Sequence, residues 1–305
     1  MTVIEQILCQ ISYLPTTYYL LTTNVLIGHE ELQKEFRALA DNGNLAQGYI
    51  FYGPARVGKF SFARALANYF ENKVFKKESI APLGDALVVG PGEGNSIGID
   101  RAREIKKFLW QKPNRSSRRM VVIDRAELLT DEAQNTLLKT TEEPPASGAL
   151  ILVTEDPESL RPTLQSRLRK IYFGPVQLKK IEKWLQSELG VDKEKSAELA
   201  EKSLGLPGLA AELGDKNSGL VRRLGQAAKY LKLNGAARSA FVKEMLEDES
   251  FRLDDFLEAL AMHSAQSGYR QPRFWHHLLE LRRQAGYFNL NPRIQLSALA
   301  KCMDN

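Results

Sequence analysis

The segment Gly53-Pro54-Ala55-Arg56-Val57-Gly58-Lys59-Phe60 constrains this chain more than any other. It follows an apolar run, Gly48-Tyr49-Ile50-Phe51-Tyr52, and opens a helical pattern over 60–70. A glycine-rich turn in that setting gathers backbone N–H groups and the positive end of a helix at one point, an arrangement that cradles phosphate. Lys59 stands where the lysine of such a loop reaches the terminal phosphates. The eighth position, which needs a Ser or Thr hydroxyl for Mg²⁺, is Phe60. Ser61 does not replace it, because one step along a helix rotates a side chain by roughly 100°. The bland alternative is a glycine-rich strand–helix turn of an ordinary α/β protein. Context and the Gly-Lys spacing favour a phosphate loop that has degenerated, with Gly53, Gly58, Lys59 and Phe60 as its residues and only weak ATP or ADP binding left open.

The surroundings of the loop predict the fold class. Apolar runs at 86–89, 120–123, 149–153 and 171–173 are short, β-branched or aromatic, and do not alternate. Strands buried on both faces of a parallel sheet read this way. Helical patterns at 60–70, 101–110 and 131–142 lie between them, so a doubly wound α/β sheet is expected over 25–174. Gly174-Pro175 breaks the pattern. Short helices follow in 175–215, and 216–305 is helical throughout, with breaks at Asn234-Gly235, Gln266-Ser267-Gly268 and 289–292.

Composition narrows the function classes. Of 305 residues, 43% are hydrophobic and 26% charged, as in folded water-soluble chains, which excludes disordered and fibrous classes. A net charge of +5 and a pI near 9.0 are compatible with a nucleic-acid neighbour without requiring one. Two cysteines, Cys9 and Cys302, and four histidines without ligand spacing give no metal or zinc site and no disulfide framework. The segment 1–24 reads as an N-terminal extension. It contains Glu5, Gln6, Gln10 and Pro15, and the first basic residue of the chain is Lys34, so neither a signal peptide nor a membrane span fits, and the expected location is cytoplasmic.

A second apolar strand ends in acid: Val121-Val122-Ile123-Asp124-Arg125-Ala126-Glu127. In phosphate-loop ATPases such an Asp supports the metal. Asp124 is equally readable as a cap after a strand. The next residue, often a Glu that polarises water, is Arg125, and a cation cannot accept a proton. Glu127 is expected to point elsewhere.

The third constellation is Thr136-Leu137-Leu138-Lys139-Thr140-Thr141-Glu142-Glu143-Pro144-Pro145, then Ile151-Leu152-Val153-Thr154, then Leu160-Arg161-Pro162-Thr163-Leu164-Gln165-Ser166-Arg167-Leu168. Together with Leu26-Ile27-Gly28-His29-Glu30 and Asn289-Leu290-Asn291-Pro292, this order resembles the bacterial clamp-loader subunits of DNA polymerase III, members of the AAA+ group. The resemblance covers roughly 25–303. Ser203-Leu204-Gly205-Leu206-Pro207-Gly208-Leu209-Ala210 is similar to the delta-prime branch of that family, whose active ATPase relatives carry an Arg where Gly208 stands. Departures are Leu168 in place of a cysteine and a short link at 71–84 in place of a four-cysteine zinc module.

The resemblance implies an AAA+ module, a helical lid over 175–215 and a collar, or oligomerisation domain, over 216–305. It implies gamma/tau-like and delta subunits, a sliding clamp and primer–template DNA as partners, with no membrane. Thr154 becomes a sensor-type residue beside the degenerate nucleotide site. Arg167 becomes an arginine finger acting in trans on a neighbour's ATP. Rival readings are an active gamma/tau-like ATPase and an AAA+ protein-binding adaptor outside replication. Lys106, Lys107, Arg115, Arg118 and Arg119 suggest DNA contact, although a solvated charged face explains them more simply. Trp275, His276 and His277 read as packing. Phe251, Phe256, Leu257, Leu260, Leu278, Leu279, Leu281, Leu296 and Leu299 look like more apolar surface than one small bundle covers, which would make 216–305 the main assembly surface.

Overall fold

The structure is a computed structural model that describes residues 26–79, 82–92, 95–285 and 290–303. The extension 1–24, with Cys9, lies outside the described residues, as does Asn289. The apolar runs form strands β1 (Gly48–Tyr52), β2 (Ala86–Val89), β3 (Arg119–Ile123), β4 (Gly148–Thr154) and β5 (Arg169–Tyr172). They pair in parallel in the order β2-β3-β4-β1-β5. Helices α1 (Glu30–Asp41), α2 (Lys59–Asn72), α3 (Ile99–Leu109) and α4 (Asp131–Glu142) cover the two faces, with a short α5 (Pro162–Gln165) before β5. β3 and β4 are buried along their whole length, which is why their sequences do not alternate.

Successive side chains still go to opposite faces. Phe51 joins Phe36, Phe62 and Phe173 in one core, whereas Ile50 joins Ile105, Leu137 and Leu164 in the other. The Phe51, Phe62 and Phe173 rings meet within 5.1–5.7 Å beneath the turn that follows β1. β5 starts earlier than its apolar run suggests. It is an edge strand, and Arg169 and Lys170 pair through the backbone while their side chains stay in water.

After Phe173 come α6 (Leu178–Leu189), α7 (Lys193–Lys202) and α8 (Pro207–Gly214), packed around Ile181, Trp184, Leu185 and Leu199. Gly190 ends α6 in the left-handed conformation, and the Asp192 carboxylate caps α7 by accepting the Lys195 N–H at 2.9 Å. The chain divides between Gly214 and Asp215 into two compact units. The second unit holds α9 (Gly219–Lys232), α10 (Gly235–Leu246), α11 (Leu253–Gln266), α12 (Pro272–Ala285) and α13 (Pro292–Lys301). Its core contradicts the expected surplus of apolar surface. Phe256, Leu257, Leu260, Leu278, Leu281, Leu296 and Leu299 are all buried within the unit, and Phe251 packs at the margin. Leu279 alone of that set is exposed, at 53%. Helices of three to four turns packed on one another cover more than counting apolar residues suggested. Trp275 donates its ring N–H to the Tyr269 carbonyl at 2.7 Å while packing on the same core.

Among the described residues no helix is long and apolar enough to cross a membrane, and no cluster of His, Cys, Asp or Glu is placed to hold a metal ion. Arg119 is not a DNA-facing cation. It is buried, stacks on Phe108 at 4.6 Å and donates to the Lys112 and Gly84 carbonyls. Beside it, the buried Asp85 carboxylate accepts the backbone N–H groups of Asn114, Arg115 and Ser116 at 2.7–2.9 Å, pinning the loop that enters β3. Asp85→Ala strands these donors, so it is expected to cost about 3 kcal/mol. The midpoint of urea unfolding, compared with wild type, checks this.

Candidate functional site

A parallel sheet offers its ligand crevice where the strands end. Tyr52 pairs with Thr154, and Ile123 with Leu152, so the turn after β1, Asp124 and Thr154 share that edge. Gly53 has φ 137°, and a Cβ there would lie 2.3 Å from the Phe173 carbonyl oxygen, so only glycine makes this turn. Gly58 precedes α2 with φ 110°, aiming the start of that 14-residue helix at the loop. His29, in the left-handed region, sets its ring edge-on to Phe173 with Nε2 3.3 Å from the Val57 carbonyl. Burial lowers its pKa.

The loop is satisfied by the chain itself. Lys59 is 6% exposed and donates to the carbonyls of Gly53 and Pro54, each at 2.7 Å. Burial lowers its pKa, while Glu155, Glu127 and Asp124 pull the other way. Phe60 turns its ring into the core that contains Phe62 and Phe51. Above the loop, the Gly208 N–H at the start of α8 donates to the Arg56 carbonyl at 3.0 Å. The Arg56 guanidinium, from a residue with φ 61°, grips both oxygens of Glu212 at 3.1 and 3.2 Å. A Cβ at position 208 would sit 3.0 Å from both the Cβ and the carbonyl oxygen of Arg56. These residues do not fit a magnesium-bound nucleotide. The position at which a phosphate loop carries a hydroxyl for the metal holds a core aromatic, and α8 rests on the loop.

Thr154 is buried, and its hydroxyl donates to the Asp156 carbonyl at 3.1 Å beside Ser159, closing its own turn. Asp124 lies close enough to Lys59 to act on its charge. Sequence spacing placed Glu127 elsewhere, and the structure corrects that. Arg125 takes φ 53° and starts a 3₁₀ turn, Ala126–Leu128, which brings Glu127 inward. Its Oε2 is buried without a partner among the described residues. Burial raises its pKa, partly offset by its own backbone N–H, by Thr154 and by Arg125. A residue next to a left-handed turn is not placed by helical spacing, and no sequence signal marked this one.

Arg167 stands apart. Arg169 pairs with Tyr49 at the start of β1, so Arg167, just before β5, belongs to the edge where strands begin. β1 is 5 residues long, so at about 3.3 Å per residue the length of the strand, roughly 16 Å, separates that edge from the loop. Its guanidinium donates to Glu142 at 2.8 Å, to the Thr163 carbonyl at 2.7 Å and to Ser166 Oγ at 3.4 Å. The structure thus brings Gly53, Gly58, Lys59, Asp124 and Thr154 together, turns Phe60 away and leaves Arg167 at the far edge.

Comparison with known proteins matches residues 28–177 to the family model described as "DNA polymerase III, delta subunit". The delta' subunit of DNA polymerase III from Escherichia coli is 35% identical over 148 residues, which is 48% of this chain and 44% of that protein. The gamma/tau subunit from Mycobacterium tuberculosis is 31% identical over 160 residues, covering 48% of this chain and 28% of that one. The matches therefore span less than half the length of these relatives. A DNA polymerase III gamma subunit-related protein from Thermotoga maritima superposes with a TM-score of 0.55 at 20% identity, over 88% of this chain and 98% of its own, which shows a shared fold.

Glu127 gives the site a pH signature. Its folded pKa is raised, so the unfolded chain ionises first, near the ordinary carboxylate value of about 4.3. Stability then falls as pH rises from there through the folded pKa, and the loss is complete above it. Glu127→Gln is expected to stabilise the protein at about pH 8 but not at about pH 4. Urea titrations of both proteins at the two pH values measure this.

Proposed function

We propose that this chain, whose residues 28–177 match the family model described as "DNA polymerase III, delta subunit", serves a clamp loader as a delta-prime-like subunit that does not hydrolyse ATP itself. The observation that carries this reading is Phe60, buried in the core at the position where the loop needs a metal-holding hydroxyl. Arg125 in place of a water-polarising acid and Gly208 packed on Arg56 support it independently. In this reading the chain adjoins gamma/tau-like and delta subunits in the cytoplasm. It helps them open a sliding clamp and place it on primer–template DNA.

Arg167 is the group offered to a neighbour. Phosphoryl transfer spreads negative charge over the γ-phosphate oxygens, and a guanidinium there stabilises the transition state. A position at the edge opposite the chain's own loop suits action in trans. The helical unit after Gly214 is the collar of this reading and contributes to assembly. Among its described residues, Leu279 and Ile294, the latter at 64% exposure, are the large apolar residues it presents to solvent, rather than the broad apolar face expected from sequence.

A gamma/tau-like ATPase is the rival, and it has an unambiguous signature. The isolated chain is expected to show no ATP turnover with Mg²⁺ present, and rates near the roughly 1–100 s⁻¹ of kinases would establish the rival instead. An adaptor outside replication would not co-purify with a clamp or polymerase subunits. In a reconstituted assembly, Arg167→Ala is expected to lower clamp- and DNA-stimulated ATP turnover. The loss should be smaller than the roughly 10³- to 10⁵-fold of single-site fingers, because other interfaces keep their own. Arg167→Lys does not restore the rate, since an ammonium lacks the planar fork. Equal turnover by wild type, Ala and Lys would remove the finger from the account.

A further inference from the structure

Glu142 is the last residue of α4, and its carboxylate accepts from Arg167 at 2.8 Å across 25 positions of sequence. Both partners are partly exposed, at 35% and 49% of their side chains. A pair this wet contributes only about 0–1 kcal/mol to stability, so the fold does not need it. What it does is fix an otherwise mobile side chain. Nη1 is held by the Thr163 carbonyl at 2.7 Å, on α5, and Nη2 by Glu142, on α4. Both supports are themselves anchored. Leu137 and Thr140 of α4 and Leu164 and Gln165 of α5 are buried, and Gln165 donates to the Leu160 carbonyl at 2.7 Å. The negative end of the α4 dipole adds to the attraction for a cation. Among the described residues the Nε–H of Arg167 has no partner, and Nη2 has one donor to spare, so the held guanidinium keeps donors for an anion.

We propose that Glu142 is the positioning residue that holds the Arg167 guanidinium ready for the triphosphate of a neighbouring subunit. This rests on the finger reading of Arg167 given above. Glu142 touches neither phosphate nor metal and acts through the arginine alone. A carboxylate that merely competed with phosphate for Arg167 would have the opposite effect on rate, which makes the direction of change decisive.

The test is steady-state ATP hydrolysis by the reconstituted assembly with clamp and primed DNA, using wild type, Glu142→Ala, Glu142→Gln, Arg167→Ala and the double variant. Unfolding midpoints and assembly of each are measured alongside. Glu142→Ala is expected to fold and assemble normally and to lower kcat several-fold, with KM for ATP unchanged. Supporting partners of this kind commonly carry roughly 10-fold effects. Glu142→Gln, which keeps an acceptor oxygen, recovers part of the rate. The double variant matches Arg167→Ala, because the carboxylate has no route except through the arginine. If Arg167→Ala slows turnover but Glu142→Ala leaves it unchanged or faster, the positioning role is overturned and the finger stands. If Arg167→Ala itself changes nothing, the finger and the positioning role fall together.

Discussion

Strands that all run one way give a sheet two chemically different edges, and the whole arrangement depends on that polarity. At the edge where strands end, the turn after β1 faces the positive end of α2, with Asp124 and Thr154 on neighbouring strands. At the edge where they begin, Arg167 emerges beside Gly48 and the start of β5. A single chain therefore cannot bring its own arginine to its own loop without unpairing β1 from β5. On the finger reading proposed above, such a loop and arginine would meet across a boundary between subunits.

The strand-end edge is closed by interactions that cost the loop its openness. Two of the donors of Lys59 are engaged by Gly53 and Pro54, and nearby carboxylates balance its charge. Arg56 is held by Glu212, and Gly208 brings the backbone of α8 onto the loop. An arginine at position 208 would first have to push that backbone away. Phe60 in the core and Gly208 against Arg56 are thus parts of one packing solution. The aromatic fills the core below the loop while α8 fills the space above it.

Much of the α/β unit was legible because parallel strands buried on both faces have a distinctive apolar texture, and because a phosphate loop needs a fixed spacing. Phe60 was visible as a departure for the same reason, Arg125 because it stands where an acid often follows such a strand, and Gly208 only through the family resemblance. The closure was not legible, since Arg56 and Glu212 are 156 positions apart and neither belongs to a spacing rule. Glu127 was misplaced because Arg125 adopts φ 53°, which breaks the periodicity on which the expectation rested. Arg119 read as surface charge, although Phe108, Lys112 and Gly84 enclose it. In the helical unit, apolar counting overstated what would remain uncovered, because it cannot tell how far five helices wrap one another. Asp85 illustrates a related limit: a buried carboxylate that organises a loop looks, in sequence, like any other surface acid.

A structure of the assembled complex with a non-hydrolysable ATP analogue would test the central claim most directly. The account predicts that the Gly53–Phe60 turn holds no magnesium-bound nucleotide and remains covered by α8. It also predicts that the Arg167 guanidinium lies about 3 Å, within hydrogen-bond reach, from the γ-phosphate on an adjacent subunit. A nucleotide with its metal seated in this chain's own turn, with Arg167 turned to solvent, would contradict it.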